Sequence, residues 1–251
     1  MRREFSLLLA KVTLLRYIVF AATFVHSLII LWPILASPFS GDDTFDSMVP
    51  MQLRYSGQSS WSFIDGYVSN WSAKEGRFFP VAAVTGVFGH YFFTGRIEYK
   101  IAQVVVVLIA LAVFGLFVSK VFKSFFAGVL AVLILNTCLQ MHVQYDPLFQ
   151  FSLQQPFLMT VMSGSLLLFI SGIRSDANWK LILSAAMYLL GLLTYESSLL
   201  VWPIFVLLIF IERPKKFIKI ALISATPALV VGLNLVRLRS KVSTTSAGYT
   251  S

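Results

Sequence analysis

The sequence predicts an all-α polytopic membrane protein, a helix bundle of about seven spans with one long polar loop after the first span. Three observations carry that reading. Hydrophobic residues make up 57% of the 251-residue chain and charged residues only 12%, with a mean hydropathy of +0.80; soluble domains are only roughly 45–50% apolar. The apolar residues fall into runs close to membrane-spanning length. Five of the eleven acids, Asp42, Asp43, Asp46, Asp65 and Glu75, crowd into the stretch from Gly41 to Pro80. A net charge of +9 and a pI near 9.8 do not indicate nucleic acid, because the basic residues sit in small groups between apolar runs and act as topology signals. The single Cys138 has no disulfide or CxxC partner and reads as a small packing residue.

A hydrocarbon core of about 30 Å needs roughly 20 apolar helical residues. Tyr17 to Ala36 meets this. Arg2, Arg3, Lys11 and Arg16 precede it, and Ile34-Leu35-Ala36 offers no small-x-small cleavage pattern, so it reads as a retained signal anchor with a cytoplasmic basic flank. The polar loop follows. Val81 to Phe93 is then apolar but short, interrupted by Gly86 and Gly89 and closed by aromatics, which predicts an interfacial or re-entrant segment. Runs at Ile101 to Val118, Phe125 to Leu139, Phe157 to Gly172, Leu181 to Leu193, Leu199 to Ile211 and Phe217 to Val236 complete seven crossings; the shorter ones imply tilt or local thinning.

Charge placement sets the orientation. With Val81 to Phe93 interfacial, 12 of the 20 basic residues lie on the cytoplasmic side; were it a span, only 9 would. The first arrangement obeys the positive-inside rule and puts the Asp42 loop outside. Leu181 to Ile211 as one helix would be about 46 Å long, so it is expected to break at Thr194-Tyr195-Glu196-Ser197-Ser198. Lys180 and the group Arg213, Lys215 and Lys216 then share the cytoplasmic side, and Glu196 sits at the outer tip.

Three polar groups therefore converge on the outer face: Asp42 with Asp43, Lys74-Glu75-Gly76-Arg77, and Glu196. Arg237, Arg239 and Lys241 are a fourth. Adjacent carboxylates repel, which poises one for proton exchange. Sugar transfer from a lipid phosphate requires a carboxylate to take the acceptor proton and cations to stabilise the departing phosphate, and this chain offers both. Blander roles stand beside these. Asp42-Asp43 can be a solvated cap, and Glu75 with Lys74 and Arg77 a weak interfacial ion pair. His90 is an interfacial residue or, with Glu75, a ligand for a divalent cation. Glu196, between two apolar runs, is costly enough to be functional by default. Asn136, Gln144, Tyr145 and Asp146 face the same outer cavity or cap turns, His142 is a loop residue, and His26 makes an interhelical hydrogen bond.

The order of these features resembles the integral-membrane glycosyltransferases of the GT-C superfamily. The chain is similar to the bacterial polytopic group that includes serotype-converting O-antigen glucosyltransferases and lipid A aminoarabinose-type transferases. Gly41-Asp42-Asp43 after the first span, Glu75-Gly76-Arg77 with Pro80, and Thr194-Tyr195-Glu196-Ser197 at a later outer turn carry the resemblance. It implies a first outer loop with membrane-parallel helices and a bacterial inner-membrane location. It implies a catalytic base at Asp43 or Asp42, and donor-phosphate contacts from Arg77, joined here by Lys74, Arg237 and Arg239. Glu75, Tyr195 and Glu196 would line the cavity, and Glu75 paired with Arg77 would approach the donor phosphate or a divalent cation. The partners implied are a polyprenyl-phosphate sugar donor, a glycan or lipid-linked acceptor and membrane lipids. Family members carry several more helices, so the chain is expected to be an amino-terminal module. The alternative function is a transporter or flippase of lipid-linked glycans.

Overall fold

The computed structural model describes residues 2–139, 148, 151–212 and 214–242, with side chains from residue 12 onward apart from that of Asp42. Every described element is helical. The first helix, α1 (Arg2–Ala36), is followed in the polar loop by α2 (Asp42–Asp46), α3 (Val49–Ser56) and α4 (Ser60–Glu75), then by α5 (Pro80–Phe92). A hairpin of α6 (Arg96–Phe122) and α7 (Phe125–Cys138) comes next. The chain continues through α8 (Gln154–Ser175), α9 (Asn178–Thr194), a 3-10 turn (Glu196–Val201), α10 (Trp202–Glu212) and α11 (Phe217–Arg239).

Among the described residues four helices are long and apolar enough to cross a membrane: Val12–Ala36 within α1, α6, α8 and α11. The protein is thus a multi-span helical bundle. Among the seven expected runs, those forming α7 and α9 are apolar helices of 14 and 17 residues, shorter than a straight span needs. The Val81 segment is α5, 13 residues or about 20 Å of helix. The expected break in the Leu181 to Ile211 region falls at Tyr195, whose backbone is extended (φ −153°, ψ 126°).

Local chemistry explains the boundaries. The Ser59 hydroxyl accepts the Ser62 amide at 3.2 Å and caps α4, Gly76 ends it at φ 62°, and Pro80 opens α5. At the α6–α7 crossing, a Cβ on Gly128 would run into the Gly115 carbonyl and the Ser119 hydroxyl, so the two backbones meet through small residues. Cys138, expected to pack, is exposed at the end of α7.

Two apolar cores hold the bundle. The larger joins α8, α9, α10 and α11 through Phe169, Ile170, Tyr188, Leu192, Phe205 and Ile220. The smaller joins α1, α6 and α7 through Leu31, Ile34, Val107, Leu111 and Val132. The loop helices have a core of their own, Val49, Leu53 and Ile64 against Ala83 and Val87 of α5. Burying each of the larger aliphatic side chains is worth about 1.5–3 kcal/mol, so the loop is a packed cap on the bundle.

The two ends of the bundle differ. At one end Arg96 donates from Nη1 to the carbonyls of Leu35 (3.3 Å) and Ser37 (3.0 Å), tying α6 to the exit of α1. At the other, Arg174 donates to the carbonyls of Lys120 and Val121 and, at 2.6 Å, to Glu212, and Lys216 meets Asp176 at 2.8 Å. Lys123 at the C-terminus of α6, Lys215 just before α11, and Lys180 and Lys219 in the first turns of α9 and α11 crowd this second end.

Candidate active site

The first end is where the polar loop folds back on the bundle. Gly41 enters α2 at φ 58°, a left-handed conformation that favours glycine, and turns Asp43 inward until it is only 4% exposed. Both carboxylate oxygens are engaged. The Tyr99 hydroxyl donates to Oδ1 at 3.0 Å, the Ser152 hydroxyl donates to Oδ2, and Lys100 Nζ stands 3.9 Å from Oδ2. Burial pushes the Asp43 carboxyl up to about 6, against the opposing pull of Ser152, Lys100 and Tyr99.

An aromatic wall holds these groups in place. His90 stacks on Tyr99 with ring centroids 4.1 Å apart and planes 8° from parallel. Phe39 sets its edge to both rings, at 5.2 and 5.4 Å. Burial, and then the nearby Lys100 charge, lower the His90 ring to about 4, so the imidazole is neutral. His90 Nε2 and Lys100 Nζ have no hydrogen-bond partner among the described residues. On the far side of α2, a Cβ on Gly86 would fall 2.6 Å from Asp46 Oδ2, so α2 rests directly on the α5 backbone.

A second cluster lies beside the first. Glu196, at the start of the 3-10 turn, accepts from Arg77 Nε at 2.9 Å on Oε1 and from Arg239 Nη2 at 3.0 Å on Oε2. The Arg77 guanidinium also sits over Phe79 (5.0 Å), Tyr195 (5.5 Å) and Trp71 (5.7 Å). One carboxylate thus ties the polar loop, the α9–α10 break and the end of α11 together, and two cations against one anion leave a positive surplus. Adjacent residues link the clusters: Ser152 donates to Asp43, while the Phe151 ring lies 6.2 Å from that of Tyr195.

An apolar cavity of about 840 Å³ opens on the other side of α5, lined by Phe88, Phe92, Ile101, Val105 and Phe157. Leu153 and Gly89, which also line it, are chain neighbours of Ser152 and His90. The cavity therefore adjoins the Asp43 site.

The sequence-predicted residues sort as follows. Asp43 is at the centre of the first cluster. Asp42 begins α2, and its side chain is outside the described set. Arg77, Arg239, Tyr195 and Glu196 come together in the second cluster. Lys74 and Arg237 are exposed at the ends of α4 and α11. Glu75 and His90 do not meet: Trp71 packs on Phe79 and Trp61 on Phe88, so α4 runs antiparallel to α5 and Glu75 lies toward the opposite end of α5 from His90. Among the described residues no group of three or more His, Cys, Asp or Glu gathers. Asn136 turns from the site and donates to Ser27 (2.8 Å) and toward His26 (3.4 Å), the interhelical role expected of His26. His142, Gln144, Tyr145 and Asp146 lie outside the described residues.

Sequence reasoning missed Tyr99, Lys100 and Ser152. Lys100 was legible in principle, because Lys100, Gln103, Val104, Val107 and Leu111 form one helical stripe, all buried. Ser152 carries no such signal. No family model, curated protein or solved structure matches the chain.

Proposed function

We propose that the protein is a GT-C-like membrane glycosyltransferase. It would move a hexosyl or pentosyl group from a polyprenyl-phosphate-linked donor to an extracytoplasmic cell-envelope glycan or lipid acceptor. The observation that carries this reading is the buried Asp43 carboxylate, fixed through both oxygens beside an apolar cavity and a surplus of arginine charge. A carboxyl near 6 is ionised at neutral pH yet basic enough to share a proton in a transition state.

In this reaction the acceptor hydroxyl gives its proton to Asp43 as its oxygen bonds to the anomeric carbon and the bond from that carbon to the donor phosphate oxygen breaks. The charge on the departing phosphate falls to Arg77 and Arg239, of which Glu196 neutralises only one, with Lys74 and Arg237 as further cations. One base and no covalent intermediate invert the anomeric centre. The 840 Å³ cavity, within the range of small-molecule sites, suits part of an isoprenoid chain. A divalent cation is left without a step here. The basic end opposite the site supports an orientation with Asp43 extracytoplasmic. Seven crossings follow if α7, α9 and the 3-10 turn continued by α10 also span, and the loop helices then lie along the outer membrane face.

The carrier reading expects acids within the spans. Within the four spanning stretches, Val12–Ala36, α6, α8 and α11, the acid present is Glu98 in the first turn of α6, which favours the enzyme. The test is transfer of labelled sugar from a polyprenyl-phosphate donor pool in membranes containing the protein. Asp43→Asn at matched expression is expected to lose about 100-fold or more. Unchanged transfer would overturn the proposal and put the carrier first.

A further inference from the structure

The mechanism above leaves one buried charge without work. Lys100 has no exposed surface, and Nζ has no hydrogen-bond acceptor among the described residues. An ammonium in such a place is costly unless a counter-charge compensates it. The anion it meets is Asp43, with Nζ 3.9 Å from Oδ2. Nζ faces the rings of Phe39 at 5.6 Å and Tyr99 at 5.9 Å, and with the residue fully buried the charge reaches water only if its surroundings open.

We propose that Lys100 is a positioning residue for the reaction at Asp43: its ammonium is the counter-charge that keeps the carboxylate ionised, while Tyr99 and Ser152 fix the direction of its two oxygens. The proposal rests on the reading of Asp43 as the base. A carboxylate this buried and held only by two neutral hydroxyls would take up a proton at neutral pH and could not then accept one from substrate. The ammonium prevents this through its field. At 3.9 Å and without a direct hydrogen bond, it leaves Oδ2, which accepts only the Ser152 hydroxyl, a second lone pair for the incoming proton.

The groups that act on Asp43 come from every neighbouring element. Tyr99 and Lys100 lie on α6, with Arg96 one turn earlier. His90 on α5 is neutral, Ser152 precedes α8, and Asp46 shares α2. Among these described groups Lys100 is the cation that lowers the Asp43 carboxyl.

The test pairs two measurements on the purified full chain and on membranes containing it. The first is an infrared titration of the protonated-carboxyl band, assigned to Asp43 by its loss in Asp43→Asn; the wild-type midpoint is expected near 6. Lys100→Met, or Lys100→Gln if the first variant does not reach the membrane, should raise that midpoint by at least about one pH unit, whereas Lys100→Arg should restore it. The second is sugar transfer against pH, where the acid limb of Lys100→Met should move up by the same amount, with activity partly regained under alkaline conditions. An unmoved band in folded Lys100→Met overturns the proposal, as does a uniform loss of transfer at every pH with the band unmoved. A moved band together with undiminished transfer in Asp43→Asn would support the pairing and defeat the enzyme reading, so the two failures are distinguishable.

Discussion

Asp43 and Glu196 are both carboxylates of the same end of the bundle, both reached by cations, and they are built in opposite ways. Glu196 receives two guanidinium groups, one on each oxygen, at 2.9 and 3.0 Å. Asp43 receives two neutral hydroxyls, and its one cation stays at 3.9 Å. The first carboxylate is neutralised more than once over and joins three chain segments. The second is dry and under-neutralised. A carboxylate used as a tie has its charge answered by direct charge-assisted bonds, whereas a base must keep an oxygen whose charge is only partly answered.

The largest expected effect that tests this contrast lies in the pH dependence of stability. Asp43 is raised from 3.8 to about 6, so its contribution is fully present below pH 3.8 and is lost as pH rises through about 6. His90 is lowered from 6.5 to about 4, so its contribution is present above pH 6.5 and is lost as pH falls through about 4. The two oppose each other across the same window, each worth on the order of 3 kcal/mol at full titration. Asp43→Asn should therefore melt at falling temperature as pH drops from 7 to 4, more steeply than wild type. His90→Phe should show the reverse slope. Parallel melting curves for wild type and both variants would remove the asserted difference between a dry acid and a tied one.

A smaller effect is expected at the tie. Glu196→Gln deprives Arg77 and Arg239 of their shared anion. Hydrogen bonds to charged groups are worth about 1.5–3 kcal/mol, but Arg239 is 60% exposed at its side chain and solvent screens that half. A loss of about 1–2 kcal/mol in stability follows, with the acid limb of the transfer profile unmoved. A shift of that limb in Glu196→Gln would mean that the two carboxylates work as one titrating system.

The contrast also shows what the sequence could reveal. The multi-span bundle was legible because apolar runs of sufficient length leave lipid as the solvent, and the break at Tyr195 because an unbroken helix would overshoot the bilayer. Glu196 stood out in the sequence because a carboxylate between apolar runs is costly, and Arg77 and Arg239, expected as donor-phosphate contacts, meet it in the structure. Lys100 and Tyr99 were hidden by the assumption that a helix begins where hydropathy begins, at Ile101; the backbone begins it at Arg96, which carries both side chains onto the buried face. The Glu75 and His90 pairing failed because loop residues close in sequence were treated as close in space, whereas α5 is a rigid rod between them. Membrane-length reasoning expected seven crossings; among the described residues four helices reach spanning length, while α7 and α9 stay short.

The smallest effect isolates how tightly the tie is fitted. Gly57 and Gly76 both end loop helices in the left-handed region, at φ 66° and φ 62°, so alanine at either is strained by about 1 kcal/mol. Their surroundings differ. A Cβ at Gly57 would meet nothing within 4 Å, whereas one at Gly76 would fall 2.9 Å from Arg239 Cγ and 3.1 Å from Arg239 Cα. Gly57→Ala thus measures the backbone strain alone, and any excess in Gly76→Ala measures the displacement of the α11 terminus from Glu196. Chemical or thermal unfolding of both variants should show Gly76→Ala less stable by a further fraction of a kcal/mol to about 1 kcal/mol, and that excess should shrink in a Glu196→Gln background, where Arg239 has no carboxylate to keep. Equal losses at the two glycines would mean that the end of α11 yields freely, and Glu196 would then be a surface ion pair like Asp176 with Lys216 at the opposite end.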